Sequence, residues 1–542
     1  MTAADKRLVL AHLWPSFLLF VCALILGFWQ FWFRSPIPPG FGTPTGYYAA
    51  LTAHGTIIGY AFTTFFAMGF GYAITALSTG AALRWRNGAW SALALASIGL
   101  ALSLFAIGTG RASVLYTFYP PLMAPFTFYL GLTLLVVGSW YWVAHTIVSF
   151  YAWKRANPGR TTPLGLYMVT AMALLWLWTS IGAALELLFQ LIPLSLGWIE
   201  RIDLGLARTL FSWTLHGIVY FWLLPAYIAL YVIVPEQAGG RLYSDLMGRL
   251  TFVLFIVFGL PVGLHHLFMD PEHGIAFKFV QGVLTVFVAV PTLLTVFTVA
   301  ASLEIAGRLR GGRGSLGWLR TLPWQRPAIL ATGLAAIMLG LGGLGGLINM
   351  SYALNAAVHN TAWVTAHFHL IFGGAVVILY FAIAYQLWPV LAGRPLSASA
   401  ACVQLVTWCV GMLALTLPWH VTGIMGQPRR MAFFDYSDPV LAPTAWLTTL
   451  SLVGGALVLA SAFHFLWILS RAQLGATHRS EIAFRFARPA VRDEHVPSAL
   501  NGFALWNWLT AGAMAAAYGW PIVQFFIYPS PGAAGLLAGG PQ

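Results

Sequence analysis

Six histidines within long apolar stretches carry the most evident chemistry of this sequence. A polar side chain at membrane depth is unfavourable unless it finds a partner, so histidines in such stretches indicate a functional site. Imidazole is also a favoured ligand of iron, copper and zinc. Because these histidines come from four separate stretches, they predict a site that holds more than one metal. The six are His54, His216, His265, His266, His367 and His369.

Three of the histidines are spaced so that they can share one metal. Successive residues on a helix are about 100° apart, so the adjacent His265 and His266 can reach one ion from one side. His216, on the preceding apolar stretch, can supply a third ligand. This set predicts a copper site with three imidazole ligands.

The other three histidines are spaced for two further centres. His367 and His369 point about 200° apart on one helix, so they cannot share a metal. His54, at a similar depth on another stretch, is free to join His369 as the second axial ligand of a haem iron. His367 alone leaves a haem iron with one open position facing the copper.

The composition shows which elements position these residues. Of 542 residues, 59% are hydrophobic and 8% are charged, which is typical of an integral membrane protein and excludes an ordinary soluble domain. About 20 apolar residues span a bilayer as a helix. The apolar runs therefore predict an all-α bundle of about thirteen transmembrane helices, at 14 to 34, 50 to 79, 88 to 111, 123 to 152, 163 to 193, 207 to 235, 246 to 270, 276 to 306, 327 to 349, 358 to 388, 400 to 425, 444 to 475 and 502 to 527.

The basic residues orient this bundle, since loops on the cytoplasmic side are enriched in Lys and Arg. With Lys6 and Arg7 inside, most basic loops also fall inside, and all six histidines fall in the outer half of the membrane. The net charge of +13 therefore reflects topology rather than a nucleic-acid surface. We interpret the first apolar run as a helix rather than a cleaved signal peptide.

Several polar residues receive structural interpretations. We expect His145, His464, His359 and His420 to be ordinary hydrogen-bonded histidines, and the scattered cysteines to be small core residues. Glu186 lies within the fifth predicted span, where we favour local hydrogen bonding. The cysteines are Cys22, Cys402 and Cys409.

Three segments around the histidines resemble subunit I of the haem-copper oxygen reductases. They are W-T-L-H-G-I-V-Y-F-W-L-L-P-A-Y from Trp213, G-L-H-H from Gly263 and N-T-A-W-V-T-A-H-F-H-L ending at Leu370. The similarity also covers L-Y-T-F-Y-P-P-L from Leu115 and the Pro428-Arg429-Arg430 motif. The sequence is most similar to the B family, the ba-type cytochrome c oxidases. The resemblance implies a single subunit I domain over residues 1 to 542.

The resemblance also assigns the cofactors. It implies a low-spin haem, of b type, on His54 and His369, and a high-spin haem, of a type, on His367. The remaining three histidines would bind the copper ion. It further implies that Arg429 and Arg430 pair with the haem propionates, for which arginine is well suited.

Tyr220 is implied to be a tyrosine cross-linked to His216. The spacing supports this independently, because residues i and i+4 lie on the same helix face. Tyr220 would then supply a proton and an electron when the dioxygen bond breaks.

A polar stripe leads from this region toward the inner face. Tyr227 and Tyr231 follow on the same predicted helix, and Thr292, Thr295 and Thr298 recur every three residues on the eighth span. Threonine often bonds to its own helix, and tyrosine often packs. Similarity to the proton channel of B-family oxidases favours a proton path.

Two departures from family patterns bear on proton movement. Gly217 and Ile218 replace the Pro and Glu that follow the copper histidine in the A family, so we expect no second channel ending at that glutamate. Asn355 stands where the B family has an aspartate near the propionates. We therefore expect the exit of pumped protons to differ.

The resemblance implies a terminal oxidase that reduces dioxygen to water, coupled to proton uptake and pumping, in a bacterial or archaeal plasma membrane. The sequence contains no C-x-x-x-C copper segment, so electrons must enter through another chain. The family implies subunit II with a two-copper centre and, as an optional partner, a small third subunit. It also implies cytochrome c or another small redox protein as the electron donor. Three alternatives are a nitric oxide reductase of the same superfamily, a non-catalytic haem membrane protein and a transporter.

Overall fold

The computed structural model describes residues 1–475, 481–491 and 494–534, which are almost entirely helical. We number the long helical segments α1 to α13 in chain order. The first seven are Ala3–Phe33, Pro44–Thr79, Arg86–Gly108, Phe126–Ala156, Leu164–Ser195, Leu204–Val232 and Asp245–Gly259. The remaining six are Ile275–Leu309, Pro327–Met350, Ala362–Ala392, Ala398–Ile424, Ala442–Leu474 and Ala504–Ile527.

Shorter elements complete the described part of the chain. Strands β1 (Arg201–Asp203) and β2 (Gly532–Ala534) pair antiparallel, with Ile202 opposite Ala533. The short helices are Val234–Gln237, Gly317–Arg320 and Tyr352–Val358, with 3-10 turns at Gly263–Leu267 and Ser498–Leu500.

Eleven of the long segments are long and apolar enough to cross a membrane, among the described residues. The two that do not meet this criterion are α7 and α13. Helix α7 has 15 residues, shorter than the predicted span 246 to 270, because Pro261 lacks the backbone N–H that would continue it. His265 and His266 therefore lie on a 3-10 turn rather than on an α-helix, so the α-helical angle assumed for them was wrong.

Helix α1 begins earlier than the predicted residue 14. The Thr2 hydroxyl accepts a hydrogen bond from the backbone of Asp5, and the Asp5 carboxylate accepts one from the backbone of Thr2. This capping box stabilises the first turn, although it carries Lys6 and Arg7. Lys6 and Arg7 mark the edge of the apolar run, but the helix extends beyond them to Ala3. We call the side at which α1 begins the inner side.

Three of the long segments contain a π-helical stretch, and each stretch lies beside a polar candidate. Ile57–Phe62 follows His54, and Leu187–Leu191 follows Glu186. The third stretch, His369–Val376, begins at a predicted ligand. Such stretches are rare and often mark functional sites.

Candidate metal centres

His216 on α6 meets His265 and His266 on the 3-10 turn after α7. One nitrogen from each ring lies within 4.8 Å of the other two, and Nδ1 of His216 is 3.2 Å from Nε2 of His266. Gly263 makes this approach possible, because a Cβ atom there would lie 1.9 Å from the carbonyl oxygen of Ser212 on α6. The structure thus brings the predicted triad together with its nitrogens facing one point.

A threonine that the sequence analysis missed orients one of these rings. The Thr285 hydroxyl donates its hydrogen to the carbonyl of Gln281 at 2.7 Å, and its oxygen lies 3.1 Å from Nδ1 of His265. Since that hydroxyl hydrogen is already used, Nδ1 of His265 must donate. The lone pair of its Nε2 is then free for a metal.

Tyr220 contacts His216 as their i, i+4 spacing predicts. The phenolic oxygen lies 2.7 Å from Nε2 of His216. Gly259 admits the phenol, because a Cβ there would lie 2.8 Å from the Tyr220 ring. With Nε2 directed at the phenol, Nδ1 of His216 is the nitrogen that faces the other two imidazoles.

His54 on α2 and His369 on α10 form a second pair. Their rings are parallel within 9°, with centroids 6.2 Å apart. Nδ1 of His54 bonds the carbonyl of Ala23 at 2.8 Å, and Nδ1 of His369 bonds that of Thr365 at 2.7 Å. A carbonyl only accepts, so both Nδ1 atoms donate and both Nε2 atoms keep a lone pair. Metal–imidazole bonds are about 2 Å long, so the ring separation fits one metal ion between them.

A cavity is lined by both histidines of this second pair. A Cβ at Gly27 would lie 2.9 Å from the His54 ring, so glycine is needed for the close approach of α1. The lining is mostly apolar, as expected for a macrocycle, with two cationic side chains among the lining residues. Those two are Arg34 and Arg430.

His367 lies apart from both clusters. Its ring stacks on Trp363 at 5.9 Å, within 12° of parallel, and Gly345 of α9 approaches its Nδ1 so closely that a Cβ would lie at 2.4 Å. Phe368 follows it in the chain and packs edge-on against Trp222 of α6. His367 and His369 therefore face different surroundings.

Arg429 and Arg430 occupy a tight outer loop. The Arg429 guanidinium donates to the side-chain oxygen of Asn360 at 2.8 and 3.2 Å, and both Asn360 and Arg430 have left-handed backbones. Burial lowers the pKa of Arg429 to about 10, with repulsion from Arg430 as a smaller cause. Arg429 therefore stays charged at neutral pH. Nearby, the Asn355 amide donates to the carbonyl of Asn349 at 2.8 Å.

Part of the predicted proton path is connected. The Tyr231 hydroxyl donates to Thr295 at 3.2 Å and lies 3.1 Å from the hydroxyl of Thr251, which the sequence analysis missed. The Tyr227 hydroxyl is buried near Thr292 but outside hydrogen-bonding geometry. The hydroxyl contacts thus begin at Tyr231 on the inner part of α6.

The stripe continues inward on α8, although its threonines also bond their own helix. Thr298 lies near Tyr231 and donates to the carbonyl of Leu294 at 2.7 Å. Ser302, one turn further, donates to the carbonyl of Thr298 and accepts from the backbone of Tyr243 in the inner loop. Hydroxyls therefore reach the inner side.

Some residues with structural interpretations behave as expected and others do not. His145 bonds the carbonyl of Arg84 at 2.8 Å, and His420 bonds that of Thr416 at 2.7 Å. Cys409 is buried and Cys402 half-buried, but Cys22 is exposed, so its assignment to the core was wrong. Local hydrogen bonding of Glu186 was also wrong, because neither carboxyl oxygen has a partner among the described residues.

Comparisons with known proteins show the family of this chain. The family model described as cytochrome c and quinol oxidase polypeptide I matches residues 7–457. Cytochrome c oxidase subunit 1 of Thermus thermophilus is 39% identical over 90% of this chain and 88% of its own length, and that of Thermostichus vulcanus is 29% identical over 77% and 74%. A haem-copper terminal oxidase dimer solved by cryo-EM matches with a TM-score of 0.90 and 35% identity, over 96% of this chain and 93% of the other. The chain therefore belongs to the cytochrome c and quinol oxidase polypeptide I family, as the catalytic subunit of a haem-copper terminal oxidase.

Proposed function

We propose that this subunit reduces dioxygen to water at a site formed by a high-spin haem on His367 and a copper ion on three other histidines. Those three are His216, His265 and His266. The observation that carries the proposal is the contact between this triad and the Tyr220 hydroxyl. When bound, the haem iron and the copper supply the redox chemistry of dioxygen reduction.

His54 and His369 would hold a low-spin haem, which would supply electron transfer to that site. The parallel rings support this assignment, because both Nδ1 atoms donate to a carbonyl and both Nε2 atoms keep a lone pair for the iron. The two haem ligands His367 and His369 sit on one helix with only Phe368 between them. Because the two histidines are two residues apart on one helix, that helix would keep the two haems close. We assign the low-spin haem as b type and the high-spin haem as a type, as in the B family.

Tyr220 acts as a donor of a proton and an electron at the oxygen site. Its oxygen lies at hydrogen-bonding distance from His216, and the pair is positioned for the cross-link that the family resemblance implies. Because Tyr220 lies four residues after His216 on the same helix, the helix itself holds the phenol in place without a flexible loop. Thr285 fixes the His265 tautomer, so the triad is oriented before copper binds.

Protons reach Tyr220 from the inner side along the hydroxyl stripe. The Tyr231, Thr251 and Thr295 contacts form its inner part, and internal water completes the step from Tyr227. Thr292 and Thr298 line the same stripe. This path supplies both the chemical protons and the pumped protons.

The outer arginines bind haem propionates. Arg430 lines the cavity of the His54 and His369 pair, and Arg429 lies beside it with its charge retained. Both guanidinium groups suit carboxylates. Asn355 cannot carry a proton as an aspartate does, so proton exit near the high-spin haem follows another route.

The subunit works within a larger assembly. We infer thirteen membrane spans in one domain, with α7 and α13 as the two that the hydropathy criterion leaves out, and an N-terminus in the cytoplasm of a bacterium or archaeon. Subunit II with a two-copper centre delivers electrons from cytochrome c or another small redox protein, and a small third subunit is an optional partner. A relative from Aeropyrum pernix is a haem-copper oxidase subunit I+III.

Oxygen uptake with reduced cytochrome c tests this function on the purified complex. We expect uptake that stops in His265→Ala, and unchanged uptake in His495→Gln, which alters an exposed loop histidine. Nitric oxide consumption without oxygen uptake would instead support the nitric oxide reductase alternative. Uptake that survives His265→Ala would contradict the copper assignment.

A further inference from the structure

Glu186 is a fully buried carboxyl group that the proposed mechanism does not use. It lies on α5 near the outer end, its exposure is 0%, and the π-helical stretch begins at the next residue. Neither carboxyl oxygen has a hydrogen-bond partner, and the group forms no ion pair within the described residues.

The lack of a cation determines the protonation state of this group. An ionised carboxylate buried in apolar surroundings without a counter-ion is strongly unfavourable, so the group takes up a proton instead. The nearby ionisable side chains are phenols, which give no compensating positive charge. They are Tyr60 of α2, Tyr119 of the loop before α4, and Tyr129 of α4.

Two of these phenols are already engaged. The Tyr60 hydroxyl donates to the carbonyl of Tyr116 at 2.7 Å, and that of Tyr129 accepts from the backbone of Ala124 at 3.0 Å. The Tyr119 hydroxyl, in contrast, is buried and has no hydrogen-bond partner in the described part of the chain.

Gln190 adds a further unpartnered group. It lies four residues after Glu186, within the π-helical stretch. The oxygen of its side-chain amide is buried and has no hydrogen-bond partner among the residues that the structure describes. Buried polar atoms of this kind are usually satisfied by internal water. The carboxyl, the phenol of Tyr119 and the amide of Gln190 together supply the several polar contacts that a water molecule needs.

The position of this group connects it to both the oxygen site and the outer surface. On α5, the backbone of Ala183 donates to the hydroxyl of Thr214, two residues before His216 on α6. In the other direction, Tyr119 lies near Asp270 and Arg430 of the outer loops.

We propose that Glu186 is a neutral carboxylic acid holding an exchangeable proton in an internal water site with Tyr119 and Gln190, outward of the oxygen-reducing centre. The carboxyl takes the proton from internal water and returns it to water on the side of Tyr119. The inference deepens the proposed function. Only the link between this proton and reduction of the haems rests on that function.

Infrared difference spectra during exchange from H2O to D2O test the protonation state on the purified complex. We expect one carbonyl band of a protonated carboxyl that shifts in D2O, disappears in Glu186→Gln and persists in Glu304→Gln, a control at an exposed, ion-paired carboxylate. An unchanged band in Glu186→Gln would overturn the proposal. So would a Glu186 band that does not shift in D2O.

Tyr119→Phe provides a second test that leaves the carboxyl in place. We expect the band to move in frequency without disappearing, and an unmoved band would overturn the role of Tyr119. Reduced-minus-oxidised spectra test the link to the haems, which a band insensitive to reduction would contradict. Visible spectra of the same samples measure the haem content independently. Missing haem would contradict the proposed function, while the D2O exchange would still decide whether Glu186 is protonated.

Discussion

The phenolic oxygen of Tyr220 lies 2.7 Å from Nε2 of His216, one turn earlier on the same helix. This contact leaves Nδ1 as the nitrogen of His216 that faces His266. One helix face therefore presents an imidazole and a phenol hydroxyl together. We derive predictions for this face, for the groups that orient the histidines and for the hydroxyl stripe that leads to Tyr220.

Tyr220→Phe removes the hydroxyl and keeps the ring. We expect oxygen uptake to fall by on the order of 100-fold, because a positioned acid typically contributes that much, while haem and copper contents stay unchanged. Oxygen electrode traces and metal analysis measure both quantities. Normal turnover in the phenylalanine variant would contradict the proposed role of Tyr220.

His54→Ala removes one of the two imidazoles that face each other in the cavity lined by Arg34 and Arg430. We expect loss of the low-spin haem signal, because one of its two axial ligands disappears, while carbon monoxide still binds the haem on His367. Visible difference spectra separate the two haems. Loss of carbon monoxide binding with the low-spin signal intact would show that the two haem assignments are reversed.

Thr285→Val deletes the hydroxyl that fixes the His265 tautomer. Removing an outer-shell partner of a metal ligand typically lowers metal affinity by about 10- to 100-fold, so we expect partial copper loss on dialysis against a chelator. Thr407→Val is the matched control, because the hydroxyl of that half-buried threonine donates to the carbonyl of Val403 on its own helix. Equal copper retention in both variants would mean that Thr285 does not orient the site.

Thr295→Val interrupts the hydroxyl contact with Tyr231. We expect turnover to fall on the order of tenfold through slower proton uptake, with haem spectra unchanged. Flow-flash spectroscopy with a pH indicator dye follows the uptake directly. A variant that takes up protons as fast as the wild type would place the path elsewhere.

Gly263→Ala adds one methyl group where the 3-10 turn meets the backbone of α6. Because the new Cβ would lie 1.9 Å from the Ser212 carbonyl oxygen, the turn must move away from α6. We expect lower copper content and a lower melting temperature. Gly274→Ala, in a loop with open space around it, should change neither.

Residue type and spacing were enough to predict which histidines lie together and where most helices lie. Long apolar runs mark spans directly, and the i, i+4 relation between His216 and Tyr220 needs no tertiary information. The exceptions are local. Pro261 ends α7 before the predicted span does, and the capping box at Thr2 extends α1 through charged residues.

Contacts that isolated polar residues make with distant segments were beyond sequence reasoning. Thr285 and Thr251 act through partners on other elements, and an isolated threonine gives no signal of such a partner. The expectation for Glu186 was wrong for the same reason, because only the packed structure shows that neither carboxyl oxygen has a hydrogen-bond partner among the described residues. Polar residues in apolar spans are therefore detectable from the sequence, whereas their partners are not.

Metal and haem analysis of the purified complex, with reduced-minus-oxidised spectra before and after carbon monoxide, tests the central claim most directly. The account predicts two haems in this subunit, carbon monoxide on only one of them, and a copper ion beyond those of the partner subunit. Haem with non-haem iron and no copper in this chain would contradict the oxidase site and support a nitric oxide reductase. A complex without haem would contradict the account altogether.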